Sequence, residues 1–547
     1  MKPDRADVPE PGVPLPSLRS TYGLVQWLSS TDHKQLGIMY LWTGLFFFLV
    51  GGLEAMLMRL QLAWPELNLL GPEAYNQLFT MHGTTMVFLV LMPTLIGLAT
   101  YFLPLMIGAN EMAFPRLNAM SLWVTILGGF LLNFSFLAGG APDAGWFSYA
   151  PLSEQNYSFS NGLDYYSIGL IVTGIGSIGA ALNFVVTTVT MRVKGMGLGR
   201  LPLFVWMVFI NSFLILAAFP LLNAGLFMLL IDRQLGAHFF LPSSGGSALL
   251  WQHFFWAFGH PEVYILALPG FGIISEVIPV FSRKKIYGYG TLAGSTVFIA
   301  LLSFGVWAHH MFAAGLGNPV NTFFAAGSML IGIPTGIKIV NWIATMWGGA
   351  VYFSTSMLFA LAFIVDFTLG GLSGVAFAIV PIDWRVTDTY FVVAHIHYVF
   401  LGGTLFTIFA GIYYWFPKIS GRMLSERLGK WHFWLFLLGF NMTFLFQHLL
   451  GMMGMPRRVY TYPDLPWYGI LNFISTVGAA MMGVAMLIFI WNIFHSLRKG
   501  VKADKNPWGA WTLEWHASSP PSLKNFGELS PVRTERALLD WEEDKKN

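Results

Sequence analysis

Of 547 residues, only 30 are Lys or Arg and 27 Asp or Glu, so 10% of the chain is charged where a soluble domain carries roughly 25%. With 55% hydrophobic and 16% aromatic residues, neither a water-facing surface nor a disordered chain fits, and a net charge of +3 is too mild for nucleic-acid binding. No Cys is present, which excludes disulfides and thiolate metal sites in this chain, and leaves 13 His as the residues to explain.

Apolar runs predict transmembrane helices over about 36–61, 78–106, 119–140, 164–191, 202–231 and 249–281, then 286–313, 321–347, 355–380, 390–416, 431–453 and 468–496. Each is long enough to cross roughly 30 Å of hydrocarbon, and no alternating strand pattern competes, so the expected fold is an all-α bundle of twelve spans. An even number puts both termini on one side. Basic residues gather in alternate loops: Arg192, Lys194 and Arg200; Arg283, Lys284 and Lys285; Lys418, Arg422, Arg427 and Lys430. The other loops hold little beyond Arg233, Arg385, Arg457 and Arg458, so the positive-inside rule predicts cytoplasmic termini. The expected organisation is a cytoplasmic segment over 1–35, a helical core over 36–496 and a cytoplasmic tail over 497–547. The first 30 residues lack the apolar core of a signal peptide, and the Trp- and Pro-containing segment 506–525 reads as a soluble tail.

Histidine at membrane depth is costly unless satisfied, so each is a functional candidate. His253 and His448 are equally open to a plain hydrogen bond with a neighbouring helix, and His33, His238, His495 and His516 lie at ends or in loops with no role expected. Six others are grouped. His395 and His397 are two apart in the tenth span, so an α-helix turns them about 200° from each other, toward two different sites. His309 and His310 in the seventh span are about 100° apart on the same geometry and can approach one ion. His260 and Tyr264 are four apart and share a helix face, with Pro261 expected to disturb the helix between them. Three imidazoles without a thiolate suit copper, zinc or iron, and His82 in the second span could complete an axial pair at a haem iron.

The runs HPEVY (260–264), WAHHMF (307–312), DTYFVVAHIHYV (388–399) and GMPRR (454–458), in this order, resemble subunit I of the haem-copper terminal oxidases, specifically the A-type cytochrome c oxidases. The resemblance extends from about residue 30 to about 525. It implies that His82 and His397 are the axial ligands of a low-spin haem, His395 the single ligand of a high-spin haem, and His260, His309 and His310 the ligands of one copper ion. It implies two haems of the A type, with Tyr264 joined to His260, Arg457 and Arg458 on haem propionates, and Arg59 on a formyl group. Trp146 and Trp251 match positions near the centre.

The same resemblance implies proton routes. Lys338 with Thr335 matches one pathway; Glu262 matches the end of a second, whose entrance role passes to Glu111 where many relatives have an aspartate. Asn118, Asn183 and Ser177 match polar positions along it, while Thr100 replaces a frequent asparagine. Thr387 stands where a magnesium-binding histidine is expected, leaving Asp388 alone for Mg2+, and Gln61 replaces a glutamate of a calcium or sodium site.

The implied activity is reduction of O2 to water coupled to proton translocation in a bacterial plasma membrane, with a subunit II carrying a copper pair, a subunit III, and cytochrome c as donor. A quinol oxidase of the same superfamily is the alternative. Its quinol-binding positions here read Val50, Glu54, Ala74 and Gln77, without the expected cation and imidazole. A nitric oxide reductase would lack the His–Tyr pair and the proton-route residues. A non-enzymatic transporter of twelve helices would leave six matched histidines unexplained.

Overall fold

The computed structural model describes residues 23–544. Its membrane-length helices are α1 (His33–Gln61), α2 (Pro72–Ile107), α3 (Pro115–Leu137), α4 (Gly162–Thr190), α5 (Leu203–Leu235) and α6 (Ala248–Ser282), with a shorter α7 (Tyr289–Ser303). Then come α8 (Asn318–Met346), α9 (Thr355–Ala378), α10 (Tyr390–Ser420), α11 (Glu426–Met452) and α12 (Tyr468–Lys499). Among the described residues there is no β-sheet, only two isolated bridges, Thr389 to Pro456 and Arg422 to Lys502.

Eleven of these helices are long and apolar enough to span a membrane. The seventh expected span differs. Its helix ends at Ser303, and after Gly305 the chain tightens into a 3-10 turn over Trp307–Met311. Its apolar residues run on past the helix end, so composition alone could not mark the break. The 3-10 turn, not an α-helix, therefore carries His309 and His310. Pro261 differs in the other direction. α6 runs unbroken through it, giving up only the hydrogen bond that its missing N–H would make.

Burial separates the inner helices from the outer ones. The most apolar windows of α2 and α6 are 94% and 89% buried, against 33% for α1 and 22% for α8. Outer helices turn Leu53, Phe323, Val340 and Leu487 outward, as lipid-facing surfaces do. Close helix approach is bought with glycine: a Cβ on Gly439 would meet the Gly478 carbonyl oxygen at 2.6 Å, and the reverse is equally true. Thr443 and Ser475 hydrogen-bond across the same α11–α12 seam.

Both ends of the described chain lie at one face of the bundle, because the Asn525 side-chain N–H donates to His33 Nε2 (2.9 Å). The segment expected as a soluble tail is packed as a cap on that face. Trp515 and Glu514 are buried, Lys418 donates to the carbonyls of Lys505 (2.9 Å) and Ala517 (2.6 Å), and Lys34 donates to Asn525 Oδ1 (3.0 Å). The cap's Trp and Leu side chains find apolar partners on helix ends, which a reading by hydropathy does not weigh.

Candidate active site

The 3-10 turn brings His309 Nε2 to 3.1 Å from His310 Nε2. His260 arrives from α6, and one nitrogen from each of the three rings lies within 4.8 Å of the others. Ser328 on α8 fixes His309 through Nδ1 (2.7 Å), and His310 lies flat on Trp256 with ring centroids 3.9 Å apart. Both ring nitrogens of His260 are buried without a protein partner. An imidazole is not left so without cost unless something else binds it, and three converging nitrogens fit a copper ion. The Tyr264 ring lies 4.9 Å from that of His260, as the four-residue spacing predicts.

His395 and His397 leave α10 on opposite sides. The Nδ1 of His395 is held by Ser373 Oγ (2.9 Å) and the Gly370 carbonyl (3.1 Å) on α9. Gly374 clears space for it, since a Cβ there would come within 3.1 Å of the His395 ring. On the other side, His397 faces His82 of α2, with ring centroids 6.3 Å apart and planes 11° from parallel. Their Nδ1 atoms bond the carbonyls of Val393 (2.7 Å) and Gly51 (2.8 Å), which leaves each Nε2 as the free ligand atom. At about 2 Å per metal–imidazole bond, that separation suits one metal held between the rings. The residues therefore fit two haems and a copper. π-Helical stretches follow both facing histidines, Thr85–Leu91 after His82 and Phe400–Leu405 after His397.

Around these groups, Arg59 uses one nitrogen on Asn472 and Thr476 while its Nε and Nη1 are buried and unpartnered, open to a further acceptor. Arg458 stacks on Phe147 at 4.1 Å; burial and the adjacent Arg457 bring its guanidinium down to about 9. Arg457 pairs with Asp388 Oδ1 at 2.6 Å. Asp388 is thus engaged by an arginine, and the three-ligand group found among the described residues is that of His260, His309 and His310. Trp146 packs over Gly83 beside His82, and Trp251 donates to the Phe147 carbonyl (2.9 Å). Gln61 is fully used, holding the backbone of Leu67, Leu69, Leu70 and Tyr460.

Lys338 and Glu262, singled out at depth by the sequence, are both enclosed. Lys338 donates to Thr296 Oγ1 (2.7 Å) and the Leu292 carbonyl (2.8 Å), so its partners are a hydroxyl and a carbonyl and not an acid. Thr335, one turn before it, bonds the Ile331 carbonyl. Glu262 is buried with neither oxygen partnered. One turn further along α6, Ile265 lines a cavity together with Ala99, Phe184, Asn211 and Ser212.

Glu111 lies in the loop before α3, accepting from the backbone N–H of Met112 (3.1 Å) and His33 (3.3 Å). Burial pushes its carboxyl above the usual range. Asn118 is buried with both amide atoms free, Ser177 bonds the Thr173 carbonyl, and the Thr100 hydroxyl is unpartnered. Asn183 does something else: it clamps the backbone of Phe114 from both sides. His33, given no role by sequence position, is buried beside Glu111, with Nδ1 on the Thr100 carbonyl (3.1 Å). Ser328, Thr296, Ser373 and His33 escaped sequence reasoning because a lone hydroxyl or terminal imidazole carries no spacing signal.

Comparison with known proteins agrees with this geometry. The profile of the family described as Cytochrome C and Quinol oxidase polypeptide I matches residues 35–481. The chain is 51% identical over 509 residues to the cytochrome c oxidase subunit 1 of Alkalihalophilus pseudofirmus, covering 93% of this chain and 81% of that one. It is 51% identical over 532 residues to a probable cytochrome c oxidase subunit 1-beta of Nocardia farcinica, covering 96% and 90%. It is also 47% identical over 523 residues to the quinol oxidase subunit 1 of Bacillus subtilis, covering 95% and 81%. A haem-copper terminal oxidase dimer solved by cryo-electron microscopy shares the fold with a TM-score of 0.72 at 18% identity, covering 94% of this chain and 97% of that one. The chain belongs to the cytochrome c and quinol oxidase polypeptide I family.

Proposed function

We propose that this chain is the catalytic subunit of a proton-translocating cytochrome c oxidase, reducing O2 to two waters with four electrons and four protons. The observation that carries the proposal is the three-imidazole cluster of His260, His309 and His310, set beside Tyr264 and the α10 face that bears His395. In this reading His260, His309 and His310 hold copper, His395 holds the high-spin haem and His82 with His397 the low-spin haem, both of the A type. Bound there, the metals supply electron storage and the O2-binding site. The chain's own part is to orient ligands and to hold protons at stated atoms.

Tyr264 keeps a hydroxyl proton one helical turn from His260. Lys338, with Thr296 and Thr335, is placed to bring protons toward that side. Glu111, Asn118 and Ser177 line a second route toward Glu262, whose unpartnered oxygens are free to take a proton from one side and release it to another. Arg457 and Arg458 offer cations for haem carboxylates, Arg59 an N–H for a haem oxygen, and Trp146 and Trp251 close the sides.

Cytochrome c is the donor in this reading, through a subunit II with its own copper pair and alongside a subunit III. The support is that Val50 and Ala74 offer neither cation nor imidazole for a quinol headgroup. The membrane is a bacterial plasma membrane, with the capped, basic-loop face cytoplasmic. A reduced-minus-oxidised visible spectrum of the purified complex tests the assignment: two A-type haem signals are expected, and a colourless protein ends it. Oxidation of reduced cytochrome c, compared with a quinol, decides the donor.

A further inference from the structure

One buried acid is not used by the routes above. Asp366 lies midway along α9 and is buried to 2% exposure. Its Oδ2 has no hydrogen-bond partner, and its Oδ1 receives only the Asn441 side-chain N–H, at the long distance of 3.5 Å. Asn441 in turn accepts a short bond from the Tyr398 hydroxyl (2.6 Å). Among the described residues no cation pairs with it. An ionised carboxylate so placed has neither a counter-charge nor enough donors, so the neutral acid is the form this pocket accommodates.

Its position gives that acid a purpose. Asp366 packs against the π-helical stretch after His397, because a Cβ on Gly402 would meet the Asp366 Cβ at 3.0 Å. One turn along α9, the Gly370 carbonyl accepts from His395 Nδ1 (3.1 Å), and Gly370 itself presses on the Tyr398 backbone. A single carboxyl is therefore linked through Asn441 and Tyr398 to the helix carrying both His395 and His397. Of the titratable groups on the helices packed against α9, Tyr398 shares polar contact with this pocket, and His448 of α11 reaches it by its ring contact with Tyr398 (5.3 Å). His395 joins through the Gly370 carbonyl.

We propose that Asp366 is a third intramembrane proton site of this chain, a neutral carboxyl that loses and regains one proton as charge changes on the α10 side. The step is Asp366–COOH to Asp366–COO⁻ plus one proton, returned to and drawn from the aqueous phase. Tyr398 remains a neutral donor, and Asn441 supplies the N–H that receives the charge. The inference rests on the oxidase reading, since the charge it answers to is that of the groups His395 and His397 hold.

Reduced-minus-oxidised infrared spectroscopy of the haem-loaded complex, in H2O and D2O, tests it. Wild type is expected to show a protonated-carboxyl C=O change assignable to Asp366, shifted in D2O and absent from Asp366→Asn. A carboxyl signal from Glu262 should survive in that variant, and proton uptake on reduction should fall by up to one per molecule. If Asp366→Asn does not assemble, Asn441→Val carries the test: removing the N–H should move the same band to higher frequency. Haem signals intact with an Asp366→Asn spectrum and proton uptake identical to wild type overturn the inference alone, as does a band unmoved by Asn441→Val. A wild type without haem redox signals overturns the oxidase reading and this inference with it.

Discussion

Lys338 is the sharpest case at the level of single residues. A lysine at depth costs several kcal/mol unless its donors are met, and here a carbonyl and the Thr296 hydroxyl meet two of them. Lys338→Met keeps the volume and removes the protonatable group, so reduction of the high-spin centre should slow by about a hundredfold or more while the visible spectrum stays unchanged. Thr296→Val should give a smaller slowing, about tenfold, by deleting one hydrogen bond; stopped-flow absorbance reads both, and unchanged rates would remove Lys338 from the route. Glu154, in the loop between α3 and α4, carries a different prediction. Burial and the facing Asp232 carboxylate raise it from 4.5 to about 7. The folded state thus prefers the protonated acid, and the stability this adds is fully present below 4.5 and is lost as pH climbs to about 7. Glu154→Gln cannot ionise, so its apparent thermal midpoint should vary less with pH across that window than wild type does; equal slopes would refute the account.

At the scale of helices, most of the architecture was legible. Length and apolarity are what a bilayer demands of a helix, and eleven of the twelve expected spans match membrane-length helices with ends displaced by a few residues, while the seventh shortens to α7. What could not be read is where the helical period changes. The π-helical stretches at Thr85–Leu91 and Phe400–Leu405 are apolar like their surroundings, and the 3-10 turn at Trp307–Met311 sits inside a longer apolar run, so hydropathy passes over all three. Yet these irregular segments carry or adjoin His309, His310, His82 and His397. His395 and His397 do lie on opposite sides of their helix, because both precede the π stretch and lie on regular α-helix. The seam of α11 and α12 gives a prediction of its own. Gly439→Val places side-chain atoms where the Gly478 carbonyl already lies 2.6 Å from a Cβ. Such overpacking costs about 1–3 kcal/mol, and the temperature at which the detergent-solubilised complex loses its haem absorbance should fall. Retention of the wild-type midpoint would mean the seam is slack.

Across the whole molecule, the grouping of the imidazoles was readable and its supports were not. Imidazoles announce themselves, but the atoms that fix them are backbone carbonyls of Gly51, Gly370 and Val393, which every sequence possesses. The cap was missed for a related reason: of its two buried lysine anchors, Lys418 reads as an ordinary basic-loop residue and Lys34 carries no signal of its own. Lys418→Met should release the 505–518 stretch, seen as faster proteolysis and hydrogen exchange there with the bundle itself unchanged; protection equal to wild type would place the anchoring elsewhere.

The cap also imposes an order on how the protein can be made. Asn525 bonds His33 and Lys34, partners separated from it by nearly the whole chain (492 and 491 residues), and the same pocket borders Glu111. A ribosome releases those three stretches at the beginning, the first fifth and almost the end of synthesis. The early helices must therefore wait in the membrane with Lys34 and His33 each short of a partner, holding only Asp32 and the Thr100 carbonyl, and the surroundings of Glu111 are completed only when translation is nearly over. A nascent oxidase would be kept from having a finished mouth on that face until its last segment arrives to close it.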